Sequence, residues 1–353
     1  TEPEGLVKHQ SSKNLKNRKE KIFSGTGDDI DLRNLLSSEN KNRITTSFRG
    51  YDIVFIDEAQ RIPGIGWGLK ILVDSSPEIS VIASGSSSFE LLNQVGEPLT
   101  GRQILYPLFP ISMMEISELH GRMHVIHNLS DYLIYGTYPE TLNAANYERK
   151  KDYLITLRNS YLFRDILEID GIKNTDKMLD LLKLIAFQIG NEVSLTELSG
   201  NLGIAKQTVE RYLGLLARSF IIYKIGGYSS NLRKEITSTS RYYFWDNGVR
   251  NALINNFNDL STRMDTGMLW ENFCFTERIK KQAYKKIYSV NYFWRTYDRQ
   301  EVDMVEDRNG RLYGFEFKWN PKKKAKPPKA FIENYNNACF ECITPENFLE
   351  FVL

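Results

Sequence analysis

The run Asp52-Ile53-Val54-Phe55-Ile56-Asp57-Glu58 constrains the fold of this chain more than any other stretch. Its apolar residues are all β-branched or aromatic, and none alternates with a polar one. A strand apolar at every position is buried on both faces, as in a parallel sheet covered by helices. A second run, Ser80-Val81-Ile82-Ala83-Ser84, has the same texture, and a helical stretch around Trp67–Val73 lies between the two. Strand, helix, strand in that order predicts a βαβ crossover.

The acids matter as much as the apolar run. Asp57 and Glu58 leave the strand at its carboxyl end, where open α/β sheets bind ligands. An Asp there can hold the water shell of a Mg²⁺ ion and the following Glu can polarise an attacking water, which is the chemistry of nucleotide hydrolysis. The second strand ends in Ser84-Gly85-Ser86-Ser87-Ser88, whose hydroxyls can reach a γ-phosphate. Gly96-Glu97-Pro98-Leu99-Thr100-Gly101-Arg102 follows; its glycine spacing imitates a phosphate loop, but Arg102-Gln103 stand where Lys-Ser/Thr belong and no strand precedes it.

Length and charge set the frame for the rest. A chain of 353 residues should hold two or three domains. Lys+Arg 46 against Asp+Glu 44 leaves a formal charge of +2, so any nucleic-acid contact must come from local clusters. Three cysteines, Cys274, Cys339 and Cys342, make no even disulfide framework, and a reducing cytosol is the default expectation. No apolar run approaches the roughly 18 residues of a membrane span. Residues 1–50 read as a solvated basic arm, with Lys8, Lys13, Lys16, Arg18, Lys19 and Lys21 among few apolar residues.

Past Pro107 and Pro110 the texture turns helical. Tyr153, Leu154, Leu157, Tyr161 and Leu162 recur at helical spacing. Ser194-x-x-Glu197 predicts a capped helix that Gly203 ends. Ala205–Arg218 predicts a second helix with Val209, Leu213, Leu216 and Ala217 inward, and Phe220–Ile225 a strand. Helix, turn, helix, strand is winged-helix order. The outward face of the second helix carries Lys206, Gln207, Glu210 and Arg211, a basic and amide mixture suited to DNA, apart from Glu210. A packing or dimerisation role for the same module stays open.

The last ~90 residues return to α/β texture. Thr266–Ala283 reads as a helix, Tyr288–Trp294 as a strand, and Asn309-Gly310 is a strong two-residue hairpin signal. Arg308 then faces Arg311, and counting outward Asp303 faces Glu316 and Glu301 faces Lys318. Alternation puts these four on one face, with Val302, Met304, Phe315, Phe317 and Trp319 on the other. Opposed carboxylates repel, so either Lys318 or a divalent cation lies between them. A Glu301–Lys318 salt bridge with Asp303 solvated is the bland arrangement. Lys322, Lys323, Lys324, Lys326 and Lys329, broken by prolines, make a basic loop beside this hairpin that suits phosphate, or simply water. His120, His124 and His127 share helical spacing without an acidic partner, and Cys339-x-x-Cys342 has no second pair.

Taken together, Asp57-Glu58-Ala59-Gln60, Gly85-Ser86-Ser87, Leu99-Thr100-Gly101-Arg102 and Tyr106-Pro107-Leu108-Phe109-Pro110 carry a resemblance. The chain resembles the AAA-type predicted ATPases of bacteria and archaea that end in a restriction-endonuclease-like domain of unknown function. The resemblance runs from Tyr51 to the C-terminus. It implies a mixed α/β chain: residues 1–128 a parallel-sheet ATPase domain, 129–228 a helical and winged-helix middle, and 229–353 a nuclease-like end. It implies ATP and Mg²⁺ as cofactors, Asp57 and Ser86 touching them, Asp57-Glu58 as the Walker B acids and Arg102 on nucleotide charge. It further implies a Mg²⁺ centre of Asp303, Glu316 and Glu271 (from Leu269-Trp270-Glu271), with Lys318 orienting water. Partners expected are DNA, through Lys206, Gln207, Arg211, Lys322, Lys323 and Lys324, and further copies of the ATPase domain. The family's Gly-x-x-x-x-Gly-Lys-Ser/Thr loop does not occur here and is expected upstream of Thr1. The alternative is a non-catalytic DNA-binding or regulatory protein with a degenerate nuclease fold.

Overall fold

A computed structural model describes residues 20–85, 99–170 (backbone alone over 160–170), 174–229, 239–296, 300–323, 325–335 and 337–353. The chain divides into two compact units, Thr1–Pro107 and Leu108–Leu353.

In the first unit three parallel strands lie in the order β1 (Ile22–Thr26), β2 (Ile53–Asp57), β3 (Ser80–Ala83). The Asp52–Glu58 run supplies the central strand, and Val54, Phe55 and Ile56 are buried. Helix Ile65–Ser75 makes the crossover from β2 to β3. A methyl at Gly68 would stand 2.3 Å from the Leu36 carbonyl oxygen, so this helix meets the preceding chain at backbone distance. The expectation of a solvated arm through residue 50 is corrected. Residues 22–26 form β1, and helices Ile30–Leu36 and Lys41–Ser47 follow, capped by Asp29 and Asn40. Their buried residues, Leu32 with Leu36 and Ile44 with Phe48, recur every fourth position, a stripe too narrow to stand out among the surrounding charges. The lysines and arginine from Lys8 to Lys19 lie outside the described residues.

The second unit is built on one seven-stranded sheet in the order β10-β9-β8-β7-β5-β6-β4. The strands are β4 (Glu192–Val193), β5 (Ile222–Gly227), β6 (Ser240–Phe244), β7 (Val290–Arg295), β8 (Glu301–Arg308), β9 (Arg311–Phe317) and β10 (Cys339–Ile343). Helices Leu195–Leu202 and Lys206–Arg218, with Gly203 between them at φ 65°, give the expected helix-turn-helix. Ser194 accepts the Glu197 amide, which is half of the expected capping box. Val209, Leu213 and Leu216 face inward as read, joined by Tyr212 and Leu215. The strands of this module continue into the C-terminal sheet, since β5 pairs with β7 at Gly226 and Gly227. Residues on both sides of position 228 therefore share one sheet.

Asn309 and Gly310 have φ of 53° and 78°, the paired positive values of a type I′ turn. The hairpin register is as read from Arg308–Arg311 to Met304–Phe315. Beyond that the alternation breaks. Trp294 pairs with Val302 and Tyr292 with Val305, so Asp303 and Met304 together oppose Phe293. This bulge turns Val302 onto the face of Val305, Leu312 and Phe331, while Met304 packs with Phe315 and Phe317 under helix Thr266–Tyr284. The expectation that Val302 and Met304 share a face is corrected by it. Among the described residues no helix is long and apolar enough to cross a membrane.

Candidate functional site

The bulge places Asp303 at the centre of an acidic cluster. Its Oδ2 accepts the Phe317 amide at 2.9 Å, where the β8–β9 ladder ends, and the residue is 5% exposed. Glu271 arrives from helix Thr266–Tyr284, whose Trp270 and Phe273 are anchored in the core; its Oε1 accepts the Tyr243 hydroxyl at 2.8 Å. The Gly190 turn, at φ 76°, comes so close that a methyl there would lie 2.7 Å from the same oxygen. Glu316 stands one residue from the end of β9, and Lys318 Nζ donates to its Oε1 at 2.6 Å. Glu316 Oε2 is buried without a hydrogen-bond partner.

Crowding and burial make these charges expensive. Burial first, then the charges of Glu271 and Glu316, push the Asp303 carboxyl well above its usual range, against the Phe317 amide and Lys318. Burial likewise pushes Glu271 up to about 7, with Arg241 and the Tyr243 hydroxyl opposing and Glu301 and Glu316 adding. Glu271 touches solvent at one edge, but the protein atoms around its carboxyl set the desolvation. For Lys318 burial acts downward, yet its bond to Glu316 and the charges of Asp303 and Glu271 outweigh it and raise the ammonium.

The structure thus brings together Glu271, Asp303, Glu316 and Lys318. It does not form the Glu301–Lys318 bridge. Glu301 instead pairs with Arg241 at 3.1 Å, because the bulge ends the regular pairing before Glu301 can face Lys318. Sequence reasoning missed Arg241, Tyr243 and Gly190. Arg241 and Tyr243 lie on β6, inside Ser240-Arg241-Tyr242-Tyr243-Phe244-Trp245; a charged residue opening an aromatic strand was the signal. As a donor set, three carboxylates are hard oxygen ligands of the kind that suits Mg²⁺ or Mn²⁺, and the orphaned Glu316 Oε2 is a ready acceptor. Among the described residues no three His, Cys, Asp or Glu side chains converge closely enough to hold one ion as they stand. Lys318 holds the Glu316 carboxylate, so ligation requires that contact to open.

In the first unit Asp57 ends β2, and Ser84 at the tip of β3 donates to its Oδ1 at 2.6 Å. The Glu58 amide donates to the same oxygen at 3.0 Å. Glu58 itself has φ 50°, and its Oε2 accepts Gln60 Nε2 at 2.6 Å. Gly27 passes so near that a methyl would sit 2.2 Å from the Glu58 carbonyl. Ser86 lies outside the described residues; Ser84 supplies the hydroxyl seen beside Asp57. Arg102 pairs with Asp74 at 3.0 Å, in the last turn of helix Ile65–Ser75. That helix runs back from the carboxyl end of β2, so Asp74 lies ~13 Å of helix away from its start. In this structure the Arg102 guanidinium is engaged by that half-exposed carboxylate. Of the residues expected to contact nucleic acid, Lys206, Gln207, Arg211, Lys322 and Lys323 are exposed, and Lys324 lies outside the described residues.

Three family models match successive parts of the chain. Residues 6–117 match the family model described as AAA domain, and residues 126–260 and 266–345 match two domains of unknown function, DUF8612 and DUF4143. The N-terminal unit is therefore AAA-type and ATPase-like. The relatives are uncharacterized proteins. One of Mycobacterium tuberculosis is 27% identical over 270 residues, covering 75% of this chain and 58% of the relative. One of Methanocaldococcus jannaschii is 22% identical over 337 residues, covering 86% and 73%. One of Haemophilus influenzae is 24% identical over 262 residues, covering 71% and 61%. The chain thus spans under two thirds of the length of the mycobacterial relative. A crystal structure of a Vibrio cholerae protein aligns over 94% of this chain and 96% of its own, at 13% identity and a TM-score of 0.19.

Proposed function

We propose that this chain joins an AAA-type nucleotide unit to a divalent-cation centre, formed by Glu271, Asp303 and Glu316, that acts on nucleic-acid phosphates. The observation that carries the reading is the arrival of these three carboxylates and Lys318, from a helix and two strands, in one largely buried cluster. Five carboxylates, Glu192, Glu271, Glu301, Asp303 and Glu316, face three cations, Arg241, Arg295 and Lys318. Fully ionised, the cluster has the charge deficit that one divalent ion fills. Bound there, Mg²⁺ or Mn²⁺ would polarise a phosphoryl oxygen and acidify its water. Lys318 would orient the attacking water once released from Glu316. Lys322, Lys323 and Lys324, with Lys206, Gln207 and Arg211, would attract the phosphate backbone.

In the nucleotide unit, Asp57 would hold the hydrated Mg²⁺ of ATP and Glu58 would polarise water. The sequence contains no Gly-x-x-x-x-Gly-Lys-Ser/Thr, so a phosphate cradle must come from elsewhere, and Arg102 is left to act on a neighbouring copy. The 353-residue chain alone should show no saturable Mg-ATP site at micromolar concentration, which would need about −8 kcal/mol.

The test of the cation centre is DNA cleavage by chelator-treated, repurified chain with added Mn²⁺. Cutting that Asp303→Asn abolishes supports it; cutting equal in the variant assigns the activity to something else. The closed Lys318–Glu316 contact favours a second reading, a non-catalytic DNA-binding or regulatory module. That reading gives salt-dependent DNA binding, unchanged by Asp303→Asn, with no cleavage.

A further inference from the structure

Arg241 is a cation buried within the acidic cluster. It sits on β6, 3% exposed, directly opposite Glu192 of β4. Its guanidinium lies over the Phe293 ring, 4.4 Å from the centroid, so its plane is fixed. From there Nη2 reaches Glu301 Oε2 at 3.1 Å and Nη1 reaches Asp303 Oδ1 at 3.9 Å, while the buried Nε has no partner. Arg295 extends the pattern outward, pairing with Glu192 and lying 3.9 Å from Glu301. Acids and bases thus alternate from β4 through Arg295, Glu301 and Arg241 to Asp303.

A buried ion whose partner is removed is strongly destabilising, because the remaining charge is left without compensation. A forked guanidinium on a ring can serve two carboxylates at once; a lysine ammonium cannot match that shape. The fork also comes from the far side of the fold. Arg241, Tyr243 and Gly190 belong to the segment matched over 126–260, while Glu271, Asp303 and Glu316 belong to the segment matched over 266–345. Neither segment alone closes the site.

We infer that Arg241 is a positioning residue for the carboxylate centre, holding Glu301 and Asp303 in place against their repulsion of one another and of Glu271 until a divalent cation takes over part of that task. The metal arm of the inference rests on the cation reading above; the charge-coupling arm does not.

The experiment uses the full chain, freed of metal, at pH 8, with melting followed alone and during Mn²⁺ titration. R241Q should melt several degrees below wild type. Adding E271Q to R241Q should restore most of that loss, because one repelling charge is gone. R241K should fall between, keeping the charge without the fork. Mn²⁺ should raise the melting temperature of R241Q by roughly twice the rise in wild type, since metal and guanidinium relieve the same repulsion. If R241Q does not fold, R241K and R241K/E271Q give the same comparison. A loss on removing Arg241 that is equal with and without Glu271 overturns the inference. Coupling with Glu271 but no Mn²⁺ effect on any variant leaves the positioning role standing and removes the cation reading. A Mn²⁺ effect in wild type without that coupling does the reverse.

Discussion

Glu271→Gln should make the metal-free protein more stable at pH 8 and leave it nearly unchanged at pH 5. Burial pushes the Glu271 carboxyl up to about 7 from an ordinary 4.5. A folded value above the unfolded one means that the protonated form favours the fold. That contribution is fully present below pH 4.5 and is lost as pH rises through 7. The difference corresponds to about 3 kcal/mol at full ionisation, an upper figure because neighbouring charges adjust together. Glutamine is neutral throughout and keeps an oxygen to accept the Tyr243 hydroxyl, now 2.8 Å from Glu271. For a unit the size of 108–353, about 3 kcal/mol is roughly 6–12 °C in melting temperature. Calorimetric melts of both proteins at pH 5 and pH 8, in chelator, measure it. A difference that is the same at both pH values, or a variant less stable at pH 8, refutes the claim that Glu271 is held at a cost. Excess Mn²⁺ should shrink the advantage, because a carboxamide is the poorer ligand.

Gly68→Ala should destabilise the first unit by about 1–3 kcal/mol, since its methyl meets the Leu36 carbonyl; hydrogen exchange over residues 22–83 reads it out, and an unchanged protection pattern would deny the close packing. Arg102→Ala should cost well under ~1 kcal/mol, because its pair with Asp74 is half exposed, and a larger loss on melting would show a role beyond that pair. Lys322→Gln with Lys323→Gln should reduce the slope of log DNA affinity against log salt by about 2, and an unchanged slope would place the basic loop outside the nucleic-acid contact.

What could be read from the sequence followed strong local rules. The β2 run is apolar at every position, and Asn309-Gly310 admits essentially one hairpin geometry, so both held. The two helices about Gly203 held because Gly203 and the Val209 stripe say the same thing. The first fifty residues misled, since Leu32, Leu36, Ile44 and Phe48 are each one apolar residue per helical turn within a charged stretch. Glu301 was assigned the wrong partner for a different reason. Alternation assumes an unbroken ladder, and the bulge between Tyr292 and Trp294 depends on tertiary contacts that pattern alone does not carry. Arg241 and Tyr243 were invisible for the same cause. They stand some thirty residues before Glu271 in the chain, and only the β5–β7 junction brings their strand beside the hairpin.

The divalent-cation centre is tested most directly by titrating Mn²⁺ calorimetrically into metal-free wild type and Asp303→Asn. Near pH 7 the titration should also release protons to the buffer, because burial holds the Glu271 carboxyl up to about 7 and the incoming ion favours its ionised form. The account predicts one saturable ion per chain in wild type, tighter at pH 8 than at pH 6, and none in the variant. Absent heat in wild type, or the same isotherm in both proteins, would contradict it.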